Sequence, residues 1–307
     1  MFIGSASNAL VALDARTGQQ LWAAPTGHAA DAPPLAFGSV VGVGTERGDF
    51  IVVRQSDGRE VWRYAGGGRI AGSAKAIRIG DCWHVLVGSY DAVLNCFEGG
   101  DGRRLWSFAA EGYLHATPAI GGQAAIVGSC DGRVYLVGLT NGALRAAVEA
   151  GSYVAASPAV EGGVAFVATH GGELLSIEVE TGRVRWRLTD TNAGAFVSSP
   201  ALGAERVVVG DRAGRVVAVK RETGEIAWSC PVRAAVDASP VIAGDTVWVG
   251  ADDGRLRALR LRDGSVLWSY ELGAGIAGSV AIVEGWLYVS DASGAVHGLV
   301  GRTPPTR

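Results

Sequence analysis

Ser199–Trp228, SPALGAERVVVGDRAGRVVAVKRETGEIAW, contains four short apolar segments separated by turn residues. Those segments are S-P-A-L, R-V-V-V-G, R-V-V-A-V and E-I-A-W, and the turns between them contain glycine. Short runs rich in β-branched residues and bounded by such turns are typical of strands joined as hairpins. Pro200 fits at the first residue of a strand, where no ladder donor is needed. We therefore predict four antiparallel strands, named A to D in chain order.

The same unit recurs along the whole chain. A tryptophan follows a T-G or D-G turn at Trp22, Trp62, Trp106, Trp186, Trp228 and Trp268, with Arg145 in the place of a missing one, and the spacing is 39–44 residues. A period near forty residues with four strands in each period is typical of a propeller blade. The sequence predicts an all-β protein, a β-propeller of four-stranded antiparallel blades stacked face to face with the tryptophans between them.

The number of blades follows from the hairpin between strands B and C, which recurs eight times. Eight hairpins indicate eight blades. The chain begins at strand B and reaches the last strand C near Val300, so the first blade lacks strand A and the last lacks strand D. A seven-bladed ring with spare strands is the alternative. We expect residues 1–300 to form a single propeller domain and residues 301–307 to form a flexible C-terminal tail.

Composition excludes several classes of partner. The 27 basic and 30 acidic residues are scattered, so no basic stripe is available for nucleic acid. The four cysteines, at positions 82, 96, 130 and 230, form no C-x-x-C pair and no disulfide framework, which predicts free and mostly packed thiols. The histidines lack the short spacings of a zinc site. We predict no metal and no nucleic acid.

The compartment is predicted from the N-terminus and from hydropathy. Residues 1–22 enter the repeat at once, without a basic region, a long apolar core or a cleavage site. No apolar run approaches the roughly 20 residues needed to cross a bilayer. We expect a bacterial protein, from its Ala-, Gly- and Arg-rich composition, that is cytoplasmic and has no membrane span. A periplasmic or extracellular location is the alternative if a signal peptide has been removed.

GSASNALVALDARTGQQLW at 4–22 and VGADDGRLRALRLRDGSVLW at 249–268 resemble the repeat of the pyrroloquinoline-quinone (PQQ) propeller family. The resemblance extends from Phe2 to Val300 and implies the propeller fold. Similar propellers occur in quinone-dependent alcohol dehydrogenases, in an outer-membrane assembly scaffold lipoprotein, in sensor domains of kinases and beside adenylating enzymes. The resemblance therefore implies a binding platform and does not choose among these activities.

A quinone cofactor is not expected. The family's dehydrogenases are about twice as long, carry an adjacent Cys-Cys pair over the quinone, and bind calcium through carboxylate and Asn ligands. This chain has no adjacent cysteines, and turns such as Ala251–Gly254 lack the further oxygen ligands of a calcium loop. The scaffold lipoprotein's N-terminal Cys is absent as well. We predict no cofactor.

Function is expected on the face that carries the D–A loops and the B–C turns, because the A–B and C–D turns of the other face are monotonous. We call the face with the D–A loops and the B–C turns the D–A face. Three positions before the S-P or T-P step of strand A the residue is apolar: Ala30, Ile70, Leu114, Val154, Phe196, Val236 and Ile276. Because side chains alternate along a strand, the positions two and four before the step should point the opposite way, toward a central funnel.

Those two positions hold mostly Ala or Gly, but six side chains are polar or aromatic and Val197 is intermediate. Such a convergence is typical of a ligand site. The predicted ligand-binding residues are Asp31, Arg69, Tyr113, His115, Tyr153, Phe196 and Asp237. The alternative interpretation is that the charges are a solvated rim and that the two tyrosines plug the channel mouth. B–C turn residues could form an outer layer on this face: Tyr90, Cys130, His170 and Arg212.

The first hypothesis is a non-catalytic scaffold that binds a small molecule or a protein segment at the funnel. The second is a cofactor-independent enzyme for cyclisation, isomerisation or hydrolysis, with His115 as acid or base and Asp31 or Asp237 orienting it. A third, a quinone-linked oxidoreductase, is disfavoured by the missing Cys-Cys pair.

Overall fold

The computed structural model describes residues 1–190 and 192–300. Within those ranges the chain forms 30 β-strands joined by turns and loops. No helix in the described ranges is long and apolar enough to cross a membrane. The tail predicted at 301–307 lies outside the described residues.

The strands form eight antiparallel sheets, six of four strands and two of three among the described residues. Blade 1 contains β1 (Phe2–Ser5), β2 (Ala9–Leu13) and β3 (Gln20–Pro25). Blade 2 contains β4 (Leu35–Phe37), β5 (Val40–Gly44), β6 (Phe50–Arg54) and β7 (Glu60–Tyr64). Blade 3 contains β8 (Lys75–Ile79), β9 (Cys82–Gly88), β10 (Val93–Glu98) and β11 (Arg104–Ala109). Blade 4 contains β12 (Ala119–Gly121), β13 (Ala124–Gly128), β14 (Arg133–Gly138) and β15 (Leu144–Glu149).

The remaining four sheets repeat this order. Blade 5 contains β16 (Ala159–Glu161), β17 (Val164–Ala168), β18 (Glu173–Glu178) and β19 (Val184–Thr189). Blade 6 contains β20 (Ala201–Leu202), β21 (Arg206–Asp211), β22 (Arg215–Lys220) and β23 (Ile226–Pro231). Blade 7 contains β24 (Val241–Ala243), β25 (Thr246–Gly250), β26 (Arg255–Arg260) and β27 (Val266–Glu271). Blade 8 contains β28 (Ala281–Val283), β29 (Trp286–Ser290) and β30 (Val296–Val300).

The predicted fold class is confirmed. The protein is all-β, with eight antiparallel sheets in the order of propeller blades, and the seven-blade alternative is wrong. The prediction that the first blade has only strands B to D and the last only strands A to C is also confirmed within the described residues.

The chain divides into two compact units, Met1–Val167 with Ile177–Arg185, and Ala168–Ser176 with Trp186–Arg307. In each unit the core lies between consecutive sheets. Phe50 and Val52 of blade 2 pack with Val85 of blade 3 in the first unit. Val216 of blade 6 packs with Leu259 of blade 7 in the second. The blades are therefore stabilised by burying their faces against one another.

The hydroxyl of the S-P or T-P step links neighbouring inner strands. Thr117 Oγ1 in blade 4 accepts a hydrogen bond from the backbone N–H of Ser73 in blade 3, at 3.0 Å. Ser239 Oγ in blade 7 accepts one from the N–H of Ser199 in blade 6, at 2.9 Å. A side-chain acceptor thus satisfies a backbone donor between two sheets.

The tryptophan of strand D packs against the next blade. Trp228 Nε1 donates to the carbonyl of Leu261 at 2.9 Å, and its ring is so close to Gly264 that a Cβ there would lie 2.5 Å from the indole. The same contact joins Trp22 to Gly58, Trp62 to Gly102, Trp106 to Gly142 and Trp186 to Gly224. The T-G or D-G turn therefore contributes to two blades. It joins strands C and D of its own blade, and its glycine lets the main chain contact the indole of the preceding blade.

Arg145 does not fill the missing tryptophan position. Ala146 pairs with Leu136 in the register in which Trp106 pairs with Cys96, so Ala146 occupies that position. Gly182 closes over it, since a Cβ on Gly182 would lie 2.7 Å from that of Ala146. Arg145 instead forms an ion pair with Glu180 at 3.1 Å. Each tryptophan stands four residues after its turn glycine, and this count applied to Gly142 gives Ala146.

Candidate functional site

The segments that enter strand A alternate as predicted. In blade 4, Leu114 and Ala116 are buried, whereas Tyr113 is 57% exposed and His115 is partly buried. The apolar residue three positions before the S-P or T-P step is at most 1% exposed in all seven segments. The positions two and four before that step are partly or fully open to solvent. The chemistry-bearing side chains therefore lie on the accessible side of these segments.

Backbone hydrogen bonds join D–A segments to the B–C turn of the preceding blade and to that of their own blade. In blade 3, Ile70 N–H donates to the carbonyl of Thr45 in the preceding blade at 3.0 Å, and Tyr90 N–H donates to the carbonyl of Arg69 at 2.9 Å. In blade 4 the second bond runs from Cys130 N–H to the carbonyl of Tyr113, at 2.9 Å. D–A loops and B–C turns thus meet on one face.

Asp31, Arg69 and Tyr90 form one end of a side-chain cluster in the first unit. Arg69 forms an ion pair with Asp31 from the neighbouring blade. The Arg69 guanidinium carbon lies 5.9 Å from the centre of the Tyr90 ring, which is within the range of a cation–π contact. Both charged side chains are more than one-third exposed. The ion pair therefore orients Arg69 and contributes little to stability.

Tyr90, Tyr113 and His115 form the other end. The Tyr90 and Tyr113 rings are stacked, with centroids 5.2 Å apart and an interplanar angle of 3°. The Tyr90 hydroxyl lies 2.5 Å from His115 Nδ1. Asp31, Arg69, Tyr113 and His115 were predicted from the sequence, and Tyr90 connects them.

The protonation states of this pair follow from its surroundings. Burial, and then the nearby Arg69 charge, lower the pKa of His115 below its usual value. Burial raises the pKa of Tyr90. The imidazole is therefore neutral at pH near 7 and the phenol keeps its proton. In the tautomer in which Tyr90 donates to Nδ1, Nε2 of His115 carries the ring proton and can donate a hydrogen bond.

The second unit contains Asp237 in a related arrangement. Arg212, in the B–C turn of blade 6, binds the Asp237 carboxylate through two hydrogen bonds of 2.9 and 2.7 Å. The B–C turn residue of one blade contacts the residue two positions before the S-P or T-P step of the next, as Tyr90 contacts His115. This ion pair therefore holds two opposite charges, those of Arg212 and Asp237, in place on the D–A face of blades 6 and 7.

The other predicted residues lie in different surroundings. Tyr153 is 40% exposed. Phe196 is fully buried, and its N–H donates to the carbonyl of Thr169 at 3.1 Å. We therefore do not include Phe196 in the proposed site, since its side chain is packed inside the blade. His170 is partly buried.

Neither of the two predicted carboxylates orients His115. The carboxylate of Asp31 binds Arg69 and that of Asp237 binds Arg212, whereas the partner of His115 Nδ1 is a phenol. Burial and the Asp131 charge raise the pKa of Cys130, so it stays a thiol near neutral pH and is a poor nucleophile. Within the described ranges, no three His, Cys, Asp or Glu side chains are grouped closely enough to hold a metal ion.

Sequence reasoning placed Tyr90 only in an outer layer. Its B–C turn contacts the D–A segments of two blades, its own through the main chain and the next through its ring. The signal in the sequence was the aromatic residue itself, since the equivalent turn positions elsewhere hold Ala6, Glu46, Cys130, His170, Arg212, Asp252 and Ala292.

Comparison with known proteins agrees with this fold. A family model described as outer membrane protein assembly factor BamB matches residues 6–153 and 189–303. The chain belongs to this BamB family. The PQQ-like repeat predicted from the sequence is thereby confirmed. No curated protein matches the BamB-family chain.

Two solved structures share the fold. The crystal structure of BamB from Moraxella catarrhalis is similar with a TM-score of 0.81 and 21% identity, covering 100% of this chain and 93% of that chain. The computationally designed Ika8 protein is similar with a TM-score of 0.83 and 16% identity, covering 97% of this chain and 92% of that chain. At these identities the likeness shows the fold alone.

Proposed function

We propose that this BamB-family chain is a non-catalytic protein-interaction scaffold that binds a partner segment on its D–A face. The observation that carries the proposal is the stacked Tyr90–Tyr113 pair, with Tyr113 57% exposed and the Arg69–Asp31 ion pair beside it. Tyr and Arg dominate the energetically important positions of protein interfaces. Here both are held by neighbouring contacts before a partner arrives, which lowers the entropic cost of binding.

The cluster indicates what the partner segment offers. The exposed face of the Tyr113 ring suits an apolar or aromatic side chain. The neutral His115 can donate its Nε2 proton to a backbone carbonyl of the partner. Arg69 is already neutralised by Asp31, so we expect no strong demand for an acidic partner. We propose an extended segment with an apolar side chain as the occupant.

The family description supports an interaction role, because it names an assembly factor for outer membrane proteins. It bears on the compartment as well, since assembly at an outer membrane would require export. We retain the cytoplasmic location predicted from the sequence as a proposal, with the periplasm or cell exterior as the alternative. Fractionation of host cells with an antibody to this chain separates these locations.

Site-specific photo-crosslinking tests the scaffold proposal. A benzophenone amino acid replaces Tyr113, and in a matched control it replaces Leu144, which is on strand D of the same blade and is 52% exposed. We expect adducts with one or a few polypeptides from position 113 and not from position 144. Excess wild-type protein should compete for the adduct, and excess Tyr113→Ala should compete at least about tenfold less well, which corresponds to about 1.4 kcal/mol.

The outcomes distinguish the remaining readings of the site. Equal adducts from both positions, or none from position 113, would overturn the scaffold proposal. Native mass spectrometry of the protein from its own host tests a small-molecule ligand instead. A bound mass that is present in the wild type and lost in both His115→Ala and Tyr153→Ala would support the ligand-binding alternative.

A further inference from the structure

An open groove lies between blades 6 and 7, on the face opposite the D–A face. The A–B turns of both blades and the C–D turn of blade 7 bound it, and its volume is about 590 Å³. Sites of this size accommodate small organic molecules. Blades 6 and 7 each have four strands, and both belong to the second compact unit. The groove is therefore formed by two complete blades.

Three arginines line this groove. Arg206 begins β21 in blade 6, Arg260 ends β26 in blade 7, and Arg262 follows in the C–D turn. Arg260 and Arg262 stand four and two residues before the turn glycine, where blade 5 has Glu178 and Glu180. Among the seven C–D turns of the sequence, that of blade 7 alone has arginine at both positions. The blade 6–7 groove therefore departs from the repeat by gaining positive charge, and such loop differences on a regular scaffold are typical of function.

The guanidinium groups are only partly satisfied by protein acceptors. Arg206 donates from Nη2 to the Arg262 carbonyl at 3.2 Å, and its Nη1 lies 3.6 Å from the carboxylate of Glu205, which is 86% exposed. The Nε of Arg206 is buried and has no acceptor among the described residues. Arg260 pairs with Asp263 at 3.2 Å, whereas the Arg262 side chain has no ion pair in residues 1–190 and 192–300. Exposed pairs of this kind are weak, so donors remain for an incoming anion.

The rest of the lining indicates what the anion is attached to. Two carboxylates, those of Glu205 and Asp245, face the three arginines, and both carboxylate residues are exposed. Leu261 and Leu267 supply aliphatic surface, and Leu267 is 46% exposed. No aromatic side chain lines the groove in the part of the chain that the structure describes. The lining therefore suits an aliphatic group better than a stacked base or ring.

The groove is held in shape by hydrogen bonds of its C–D turn. The Leu261 carbonyl accepts the indole N–H of Trp228 at 2.9 Å, and the Leu261 N–H donates to the Asp245 carbonyl at 2.8 Å. The bond from Arg206 to the Arg262 carbonyl ties the same turn to blade 6. A turn fixed before the ligand arrives lowers the entropic cost of binding.

We propose that this groove binds a small amphiphilic anion. Arg206 and Arg262 hold its phosphate or carboxylate group, and Leu261 and Leu267 contact its aliphatic portion. A guanidinium can donate two parallel hydrogen bonds to either oxyanion, and burying the aliphatic portion removes apolar surface from water. The site is separate from the D–A face, so it does not depend on the scaffold proposal.

Isothermal titration calorimetry with simple probes tests the ligand class. We expect n-octyl phosphate or octanoate, each below its micelle concentration, to bind the full chain saturably with one-to-one stoichiometry. The two probes distinguish a phosphate from a carboxylate. Inorganic phosphate should bind at least about tenfold more weakly than n-octyl phosphate, because it lacks the aliphatic portion. Saturation by neither anion, or equal binding of n-octanol, would overturn the proposal.

Charge-removing variants locate the anion. Arg206→Gln and Arg262→Gln should each weaken binding at least about tenfold. Arg255→Gln is the matched control, since Arg255 stands at the other end of β26, is 45% exposed and pairs with Glu271. It should leave the affinity unchanged. Circular dichroism checks that the three variants are folded. Full affinity in both groove variants, or an equal loss in the control, would contradict the site.

A variant that should gain affinity tests the same assignment in the opposite direction. Asp245→Asn removes a carboxylate from the groove and should tighten binding of the anion by about twofold. Leu267→Ala should weaken binding of n-octyl phosphate and leave that of inorganic phosphate unchanged. An affinity that is unchanged or weaker in Asp245→Asn would show that the anion binds elsewhere and would overturn the proposal.

Discussion

At the scale of single residues, the side chains of the proposed site are positioned by neighbours from other blades. Tyr90 is positioned by its own turn, but its stacking partner and its hydrogen-bond partner both come from blade 4. Trp228 belongs to blade 6 and its acceptor to blade 7. A substitution at Tyr90 or Trp228 therefore changes contacts between two neighbouring sheets.

His115 should make stability depend on pH. Its pKa in the folded protein is lowered by burial and by Arg69, so below its ordinary value of about 6.5 the unfolded chain binds more protons than the folded one. The stability that neutral His115 contributes is complete above about pH 6.5 and is lost as the pH falls through the folded pKa. Urea unfolding should show the wild type losing more stability than His115→Gln between about pH 7.5 and about pH 5. A difference between the two proteins that does not change with pH would contradict the assignment.

Trp228 and Trp268 should contribute different amounts to the free energy of unfolding. Trp228→Ala removes a buried indole and its hydrogen bond, and we expect a loss of about 3–5 kcal/mol in the free energy of unfolding. Trp268→Ala should cost less than about 2 kcal/mol, because 40% of that side chain is already exposed. Urea titrations of both variants measure the difference. Similar losses would mean that Trp268 is covered in solution.

At the scale of elements, one blade departs from the repeat. Ala146 takes the place of a tryptophan in β15, and the turn glycine Gly182 lies against it, since a Cβ on Gly182 would lie 2.7 Å from that of Ala146. A tryptophan that restores the repeat pattern would meet this turn.

Ala146→Trp should destabilise the protein by about 1–3 kcal/mol through overpacking. The neighbouring Ala147 is exposed, so Ala147→Trp is the matched control and should change the free energy of unfolding by less than about 0.5 kcal/mol. Urea unfolding compares the two variants. A more stable Ala146→Trp protein would show that the turn at Gly182 can move outward.

The repeat was readable from the sequence because each blade uses the same turn glycines and the same alternation. Strand order, eight blades and the accessible positions around Tyr113 and His115 all followed from that regularity. Contacts between blades did not follow. Tyr90 and His115 are 25 residues apart, and their hydrogen bond depends on ring orientation, which spacing does not specify. Arg145 was predicted at the missing tryptophan position, whereas four residues after Gly142 the sequence has Ala146.

At the scale of the whole molecule, burial separates the four free cysteines. Cys82 is exposed, Cys130 is partly buried, and Cys96 and Cys230 are buried. Burial raises the pKa of Cys96 to about 12 and also raises the pKa values of Cys130 and Cys230. These three thiols lie in packed parts of both units, so their protection reports on the integrity of the fold.

Thiol labelling should distinguish the exposed Cys82 from the other three cysteines. At pH near 7.5 a soluble disulfide reagent should modify Cys82 quickly and the other three slowly, since the thiolate is the reactive form. Adding urea should release the remaining thiols together with loss of the circular dichroism signal. Cys82→Ser should remove the fast phase alone. A second fast thiol in that variant would contradict the packing around Cys130 or Cys230.

The main-chain bonds that tie each D–A segment to its B–C turn have an evolutionary consequence. The bond from Tyr90 N–H to the Arg69 carbonyl and the one from Cys130 N–H to the Tyr113 carbonyl involve no side-chain atom. Substitutions at positions 69, 90, 113 or 130 can therefore change the side chains of the D–A face while the same main-chain bonds keep its loops in position. Homologous proteins with this scaffold could exchange one partner for another through a few substitutions. The side-chain atoms that mutation changes are not the main-chain atoms that hold the loops in place.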